Sequence, residues 1–249
     1  IYASAFYALS VIPEDFHVWD YLENSRTPEA YNKIVKGDAD IIFVAQPSGG
    51  QKKRAKESGV TLLYTPFARE AFVFIVNADN PVNSLTEQQV RDIFSGAITN
   101  WRAVGGNDQE IQTWQRPEDS GSQTVMQSQV MKNVRMISPQ ETKVASVMEG
   151  MIKVVAEYRN TNNAIGYTFR YYATQMNADK NIKLLAINGI TPTAENIRNG
   201  KYAYIVDAFM VTRENTTSET QKLVEWFLTP QGQSLVEDVG YVPLYPTME

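Results

Sequence analysis

The sequence has no cysteine and a single histidine, His17. The first absence removes disulfides, thiolate metal sites and cysteine nucleophiles. The second leaves histidine-rich metal centres and most catalytic triads without their residues. A lone histidine in a loop reads as a surface residue. Long apolar runs are also missing. No stretch approaches the roughly 20 residues of a membrane span. Ile1 opens directly into an amphipathic stretch, so any signal peptide would have to precede it. Basic charge is in short supply: 23 Lys and Arg against 28 Asp and Glu, a net charge of −5. Without a basic stripe the chain does not read as a nucleic-acid binder. An anion site remains open to it, because backbone N–H groups and one arginine can hold an anion locally. No cofactor, metal site or catalytic residue is expected.

What is present suffices for a real core. The chain has 249 residues and a 43% hydrophobic fraction, enough for one large domain or two lobes of roughly 100–150 residues each. Residues 3–11 read as a helix. Thr27 followed by Pro28 reads as a hydroxyl N-cap with proline at the first helical position, and that helix ends at Gly37. Residues 40–45 form a short apolar run, expected as a buried parallel strand. A helix over 51–58 and strands over 61–64 and 70–77 follow. Thr86 opens a helix that Gly96 closes. A strand over 111–115 leads through a loop into a helix from Gln123 to about Met131. Residues 143–159 read as mostly helical, with strands at 164–168 and 182–187 and a short helix at 193–199. An apolar run over 202–212 precedes two C-terminal helices, split by Pro230.

Strands that alternate with helices predict an α/β fold with mainly parallel sheets. Two long apolar segments, 70–77 and 202–212, flank the middle of the chain. They predict lobe one from residues 1–72 and 205–249 and lobe two from 78–200. The chain would cross between lobes at 73–77 and 201–204, with a ligand cleft between the lobes. A single larger sheet is the alternative. There is no internal repeat and no low-complexity tract.

The sharpest local signal is residues 116–122, Arg-Pro-Glu-Asp-Ser-Gly-Ser. They leave a strand and enter a helix. Ser120 and Ser122 offer hydroxyls, and Gly121 lets backbone approach a ligand. The first amides of the helix lack intrahelical partners and carry the positive end of its dipole. Arg116 can add a bidentate contact. Read alone, the segment also fits an ordinary serine cap beside a surface arginine. Thr27 repeats the device, a hydroxyl at a helix start, and alone fits an ordinary cap.

Several motifs, in order, resemble the phosphate-binding proteins of bacterial ABC transporters, within the type II periplasmic binding-protein superfamily. Residues 85–101 resemble the family's "LT…DIFSGKITNW" segment. Arg116 with Ser120, Gly121 and Ser122 resembles its "R-x-x-x-S-G-T" loop. Residues 164–167 resemble its "xIGY" strand, and Gly37 to Ile41 followed by Pro47 resembles its "GxxDI…P" turn. The likeness runs from Ile1 to about Leu244. It implies a two-lobe, type II periplasmic binding protein-like fold. It places the ligand arginine on Arg116, the Ser-Gly-Thr on Ser120, Gly121 and Ser122, and a lobe-one hydroxyl on Thr27. The family often has an aspartate before the turn's proline, accepting the proton of hydrogenphosphate; here that position is Ala45, beside Gln46. Glu70 and Asp119 are the candidate replacements. The family also begins with a strand and a Gly/Ser/Thr-rich loop that touch the ligand, whereas this chain opens in the helix that follows.

The resemblance implies a monomeric solute-binding protein, not an enzyme, that captures inorganic phosphate for the permease of an ABC importer. It implies a periplasmic or cell-surface location, any lipid anchor being carried ahead of Ile1. The alternatives are a sensor or binding domain of the same fold for sulfate, molybdate or another ligand, and, more remotely, a hydrolase.

Overall fold

The computed structural model describes residues 22–132, 134–138, 144–146, 148–157, 163–176 and 178–245. The helix expected over 3–11 and His17 lie outside these. The chain forms two compact units, residues 1–69 with 207–249 and residues 70–206. Residues 73–77 and 201–204, read from the sequence as crossings, fall in the second unit.

In the first unit, β1 (Ile41–Val44) pairs antiparallel with β8 (Ile205–Arg213), Ile42 opposite Val211 and Phe43 opposite Met210. Side chains alternate across a strand, and both faces are covered. Ile42 and Val211 pack with Ala30, Tyr31 and Ile34 of helix α1 (Thr27–Lys36). Ile41, Phe43 and Met210 pack instead with Phe227 and Val236, from helices α7 (Ser218–Phe227) and α8 (Pro230–Asp238). A helix α2 (Gly49–Glu57) starts from Ser48, whose side chain caps Gln51 N. Residues 40–45 were expected in a parallel strand; the pairing with β8 is antiparallel.

The strands expected separately at 61–64 and 70–77 are one strand, β2 (Leu62–Asn77). Pro66 does not break it. Proline is tolerated where no ladder donor is required. Just beyond it Phe67 and Ala68 are buried, and Ala68 and Arg69 pair with β9 (Val242–Pro243). The strand is thus anchored by core burial that begins just beyond the proline.

In the second unit, residues 71–76 are all fully buried, so both faces of β2 are covered there. β2 pairs antiparallel with β5 (Ala164–Phe169) and β6 (Ile182–Leu184). β5 also pairs in parallel with β4 (Gln112–Thr113). On one face, Phe72, Phe74, Phe94 and Tyr167 form an aromatic cluster. On the other, Gly166 admits helix α5 (Met148–Glu157): a Cβ there would collide with Met151. The sheets are therefore mixed, with more antiparallel than parallel pairings among the described residues. The parallel pairs are β4 with β5 and β3 (Ser84–Leu85) with β7 (Ala186–Ile187). Between β4 and β5 the chain makes a helical crossover, the connection that parallel strands require. A short helix α6 (Ala194–Arg198) precedes Tyr202.

Residues 85–101 have a structural role. Thr86 Oγ1 accepts from Gln89 N at 3.1 Å, and Gln89 Oε1 accepts from Thr86 N at 2.8 Å, a reciprocal cap on α3 (Glu87–Ser95). Gly96 closes α3 at φ 84°. Trp101 is buried and donates from Nε1 to Asn163 O at 2.9 Å.

Candidate functional site

The loop over 116–122 lies wholly in the second unit. Ser120 is the N-cap of α4 (Gly121–Val125), its Oγ accepting from Gln123 N at 3.3 Å. The helix therefore starts two residues earlier than the sequence suggests, and Ser120 rather than Ser122 caps it. It continues as a π-helical stretch, Met126–Met131, a geometry frequent near functional sites. Asp119 takes a left-handed conformation, φ 64°, which turns the chain into the helix. Aspartate tolerates that conformation better than most residues. No acidic residue occupies the first turn of α4.

The loop is mostly buried: Arg116 is 7% exposed, Ser120 9% and Ser122 0%. Ser122 Oγ has no hydrogen-bond partner. An unpaired buried hydroxyl costs on the order of 1–3 kcal/mol; Thr168 Oγ1 and Tyr204 Oη of the same unit are unpaired as well. Arg116 is held from both ends. Its N–H reaches Tyr167 Oη at 3.1 Å and Gln123 Oε1 at 3.3 Å, and its guanidinium donates to Ala145 O. Beside the loop lies a cavity of about 630 Å³, lined by Arg116, Glu118, Gln123, Lys132 and Arg135 among others. Glu118, which sequence reasoning passed over, lines this cavity and accepts from Gln127 Nε2 at 3.0 Å. Asp119 does not line it.

Glu70 is elsewhere in the same unit, 3% exposed. Oε1 accepts from Ala71 N at 2.7 Å and lies 3.3 Å from Arg170 Nε; Oε2 accepts from Tyr171 N at 2.9 Å. Burial raises its pKa to about 7, against the opposing pull of Arg170 and the two backbone donors. None of these partners belongs to residues 116–122.

Thr27 belongs to the first unit and is the first residue of α1, not its cap. The cap is Arg26, in extended conformation. Glu29 reaches back to it, Oε2 accepting from Arg26 N at 3.0 Å and Oε1 from its guanidinium. With Glu29 filling the capping role, the helix starts one residue early and Pro28 sits second. The structure thus gathers Arg116, Ser120, Gly121 and Ser122 in one loop, while Glu70 is tied to Arg170 and Thr27 stands at a different helix start. Among the described residues no cluster of His, Asp or Glu could hold a metal ion, and no helix is long and apolar enough to cross a membrane.

Comparison with known proteins gives this geometry a context. The Phosphate-binding protein PstS of Borreliella burgdorferi is 26% identical over 215 residues, covering 85% of this chain and 74% of that protein. Its namesake from Bacillus subtilis is 28% identical over 170 residues, 68% of this chain and 53% of that protein. Among solved structures, a Clostridium perfringens phosphate ABC transporter substrate-binding protein with bound phosphate has a TM-score of 0.71 at 24% identity, covering 87% of this chain and 84% of that one. An ABC-type phosphate transport receptor from Vibrio cholerae has a TM-score of 0.65 at 24% identity, covering 88% and 85%. These structures share the mixed α/β fold. Residues 14–231 match the family described as PBP superfamily domain, and the chain belongs to that superfamily.

Proposed function

We propose that this chain is an extracytoplasmic solute-binding protein that captures inorganic phosphate for a membrane ABC importer. The observation that carries the reading is the loop over 116–122: a buried arginine, two buried serines at a helix start, and a Ser122 hydroxyl with no partner inside the protein. Such a site supplies donors and positive charge to an anion. The relatives' names support phosphate as the anion and binding rather than catalysis as the activity. Thr27 is kept as a proposed ligand contact in its own right. Delivery to a permease is supported by the ABC-transporter role in the Clostridium perfringens neighbour's name, and a monomeric state and a location outside the cytoplasm are proposed with it.

Isothermal titration with phosphate, sulfate and molybdate tests this. Phosphate should bind, at one site per chain, and more tightly than either dianion. Absence of phosphate binding alongside tight sulfate or molybdate binding would move the assignment to another oxyanion, and binding of none would remove it.

A further inference from the structure

The ladder between β4 and β5 advances two residues at a time. Gln112 N donates to Asn163 O and Trp114 N donates to Ile165 O, each at 2.9 Å. The next donor in this series is Arg116 N, and the next residue across is Tyr167. Here the pattern changes. Arg116 N meets the Tyr167 hydroxyl at 3.1 Å, a side-chain acceptor at the far end of the ring. The loop has left the sheet, and one phenol spans the gap that opens.

The same hydroxyl donates to Gln123 Oε1, and Gln123 Oε1 also accepts from Arg116 N. Three groups close a triangle: the first backbone amide of the loop, a side chain from the first turn of α4, and a phenol from β5. Gln123 N is in turn capped by Ser120 Oγ. Both ends of residues 116–122 are therefore referred to one point. That point is rigid. Tyr167 is 0% exposed, and its ring centroid lies 5.4 Å from Phe72, 5.6 Å from Phe94 and 6.4 Å from Phe74. Burial also raises its pKa, so the hydroxyl stays protonated and can donate at any ordinary pH.

We propose that Tyr167 is a positioning residue of the anion site, fixing the Arg116 backbone relative to the first turn of α4 so that guanidinium and helix donors converge on one anion. The proposal rests on the oxyanion-binding reading above. A charged fork must be placed to within a fraction of an ångström for bidentate contact, and a side chain anchored in the aromatic core holds a loop more firmly than the loop's own backbone can.

The test is a double-mutant cycle read by isothermal titration, with melting temperature recorded for each protein. The wild type is titrated first with phosphate, sulfate and molybdate, and the anion that binds is used throughout. Tyr167→Phe should weaken binding about three- to tenfold, the worth of one hydrogen bond. Arg116→Lys keeps the charge but loses the fork. In that background Tyr167→Phe should change affinity less than twofold, because there is no longer a fork to place. An equal loss in both backgrounds would mean that Tyr167 only supports the fold, and an unchanged affinity in the wild-type background would overturn the proposal. If Tyr167→Phe does not fold, Gln123→Met removes the shared acceptor and carries the same cycle. Failure of the wild type to bind any of the three anions overturns the function and the positioning role together; normal wild-type binding with no effect at Tyr167 overturns the positioning role alone.

Discussion

Two buried polar groups in the unit of residues 70–206 behave in opposite ways. The Glu70 carboxylate has partners for both oxygens: Ala71 N, Tyr171 N and Arg170. The Ser122 hydroxyl, buried as completely, has none. A buried polar group must be satisfied or be costly. Glu70 is satisfied within the protein and so needs nothing from outside. Ser122 finds no such partner within the protein. On the proposed function the difference would separate a group that serves the fold from one that meets the ligand, although both carry oxygen and both looked eligible in the sequence.

The largest expected effect lies beside Ser122. Arg116→Ala should weaken oxyanion binding by about 2–5 kcal/mol, the range for losing one member of a buried charge pair. Titration calorimetry would read it. An unchanged affinity would put Arg116 with Glu70, among the groups that serve only the fold through contacts such as Ala145 O.

Glu70 makes the opposite prediction: its replacement should change stability with pH and leave ligand choice alone. Its folded pKa, about 7, lies above the ordinary carboxylate value of 4.5 because burial outweighs its partners. A raised carboxyl pKa means that the folded state holds the proton more tightly. The stability it contributes is full below pH 4.5 and is lost as pH rises from 4.5 to about 7. The span corresponds to roughly 3 kcal/mol. Glu70→Gln should flatten that part of the stability-versus-pH curve, measured by denaturant melts. It should also leave the phosphate-to-sulfate ratio unchanged. A Glu70→Gln variant that loses phosphate while keeping sulfate would return Glu70 to the ligand site, as acceptor of the hydrogenphosphate proton. Asp119→Asn is the control for the loop carboxylate.

Ser122→Ala should come next, at about 1.5–3 kcal/mol of binding if the hydroxyl donates to a charged anion. Stability without ligand should hold or rise, since the variant removes an unsatisfied buried oxygen. A loss of stability in the unliganded protein would show that Ser122 has a structural partner after all, and the contrast with Glu70 would fail.

Much of this could be read along the chain because it is local. The caps at Thr86 and Gly96, the stop at Gly37 and the capped loop over 116–122 are each set by neighbours within a few residues. What could not be read depends on long separations. Glu70 and Tyr171 are 101 residues apart, and Tyr167 and Gln123 are 44 apart. No spacing rule pairs them, so the sequence could show neither the partners of Glu70 nor the place of Gln123. Strand direction failed for the same reason: β1 pairs with β8, more than 160 residues away, and nothing local reveals that the pairing is antiparallel. The strands read at 61–64 and 70–77 are one strand that runs through Pro66, with Phe67 and Ala68 buried just beyond it.

The smallest expected effect belongs to Thr27. It resembles Ser120 in sequence, a hydroxyl at the start of a helix, but the surroundings differ. The first turn of α1 already contains a carboxylate, Glu29, which accepts from the Arg26 backbone and guanidinium. An anion approaching that turn would meet a like charge, whereas the first turn of α4 carries none. Thr27 is also only partly buried, so water competes for any hydrogen bond it makes. A neutral, partly solvated hydroxyl contact is worth about 0.5–1 kcal/mol. Thr27→Ala should therefore weaken oxyanion binding by no more than about fivefold, less than Ser122→Ala. Titrating Thr27→Ala and Ser122→Ala side by side decides it. If Thr27→Ala proves the more damaging, burial within one unit is the wrong guide to the ligand contacts, and the hydroxyl at the start of α1 carries more of the binding than its own surroundings indicate.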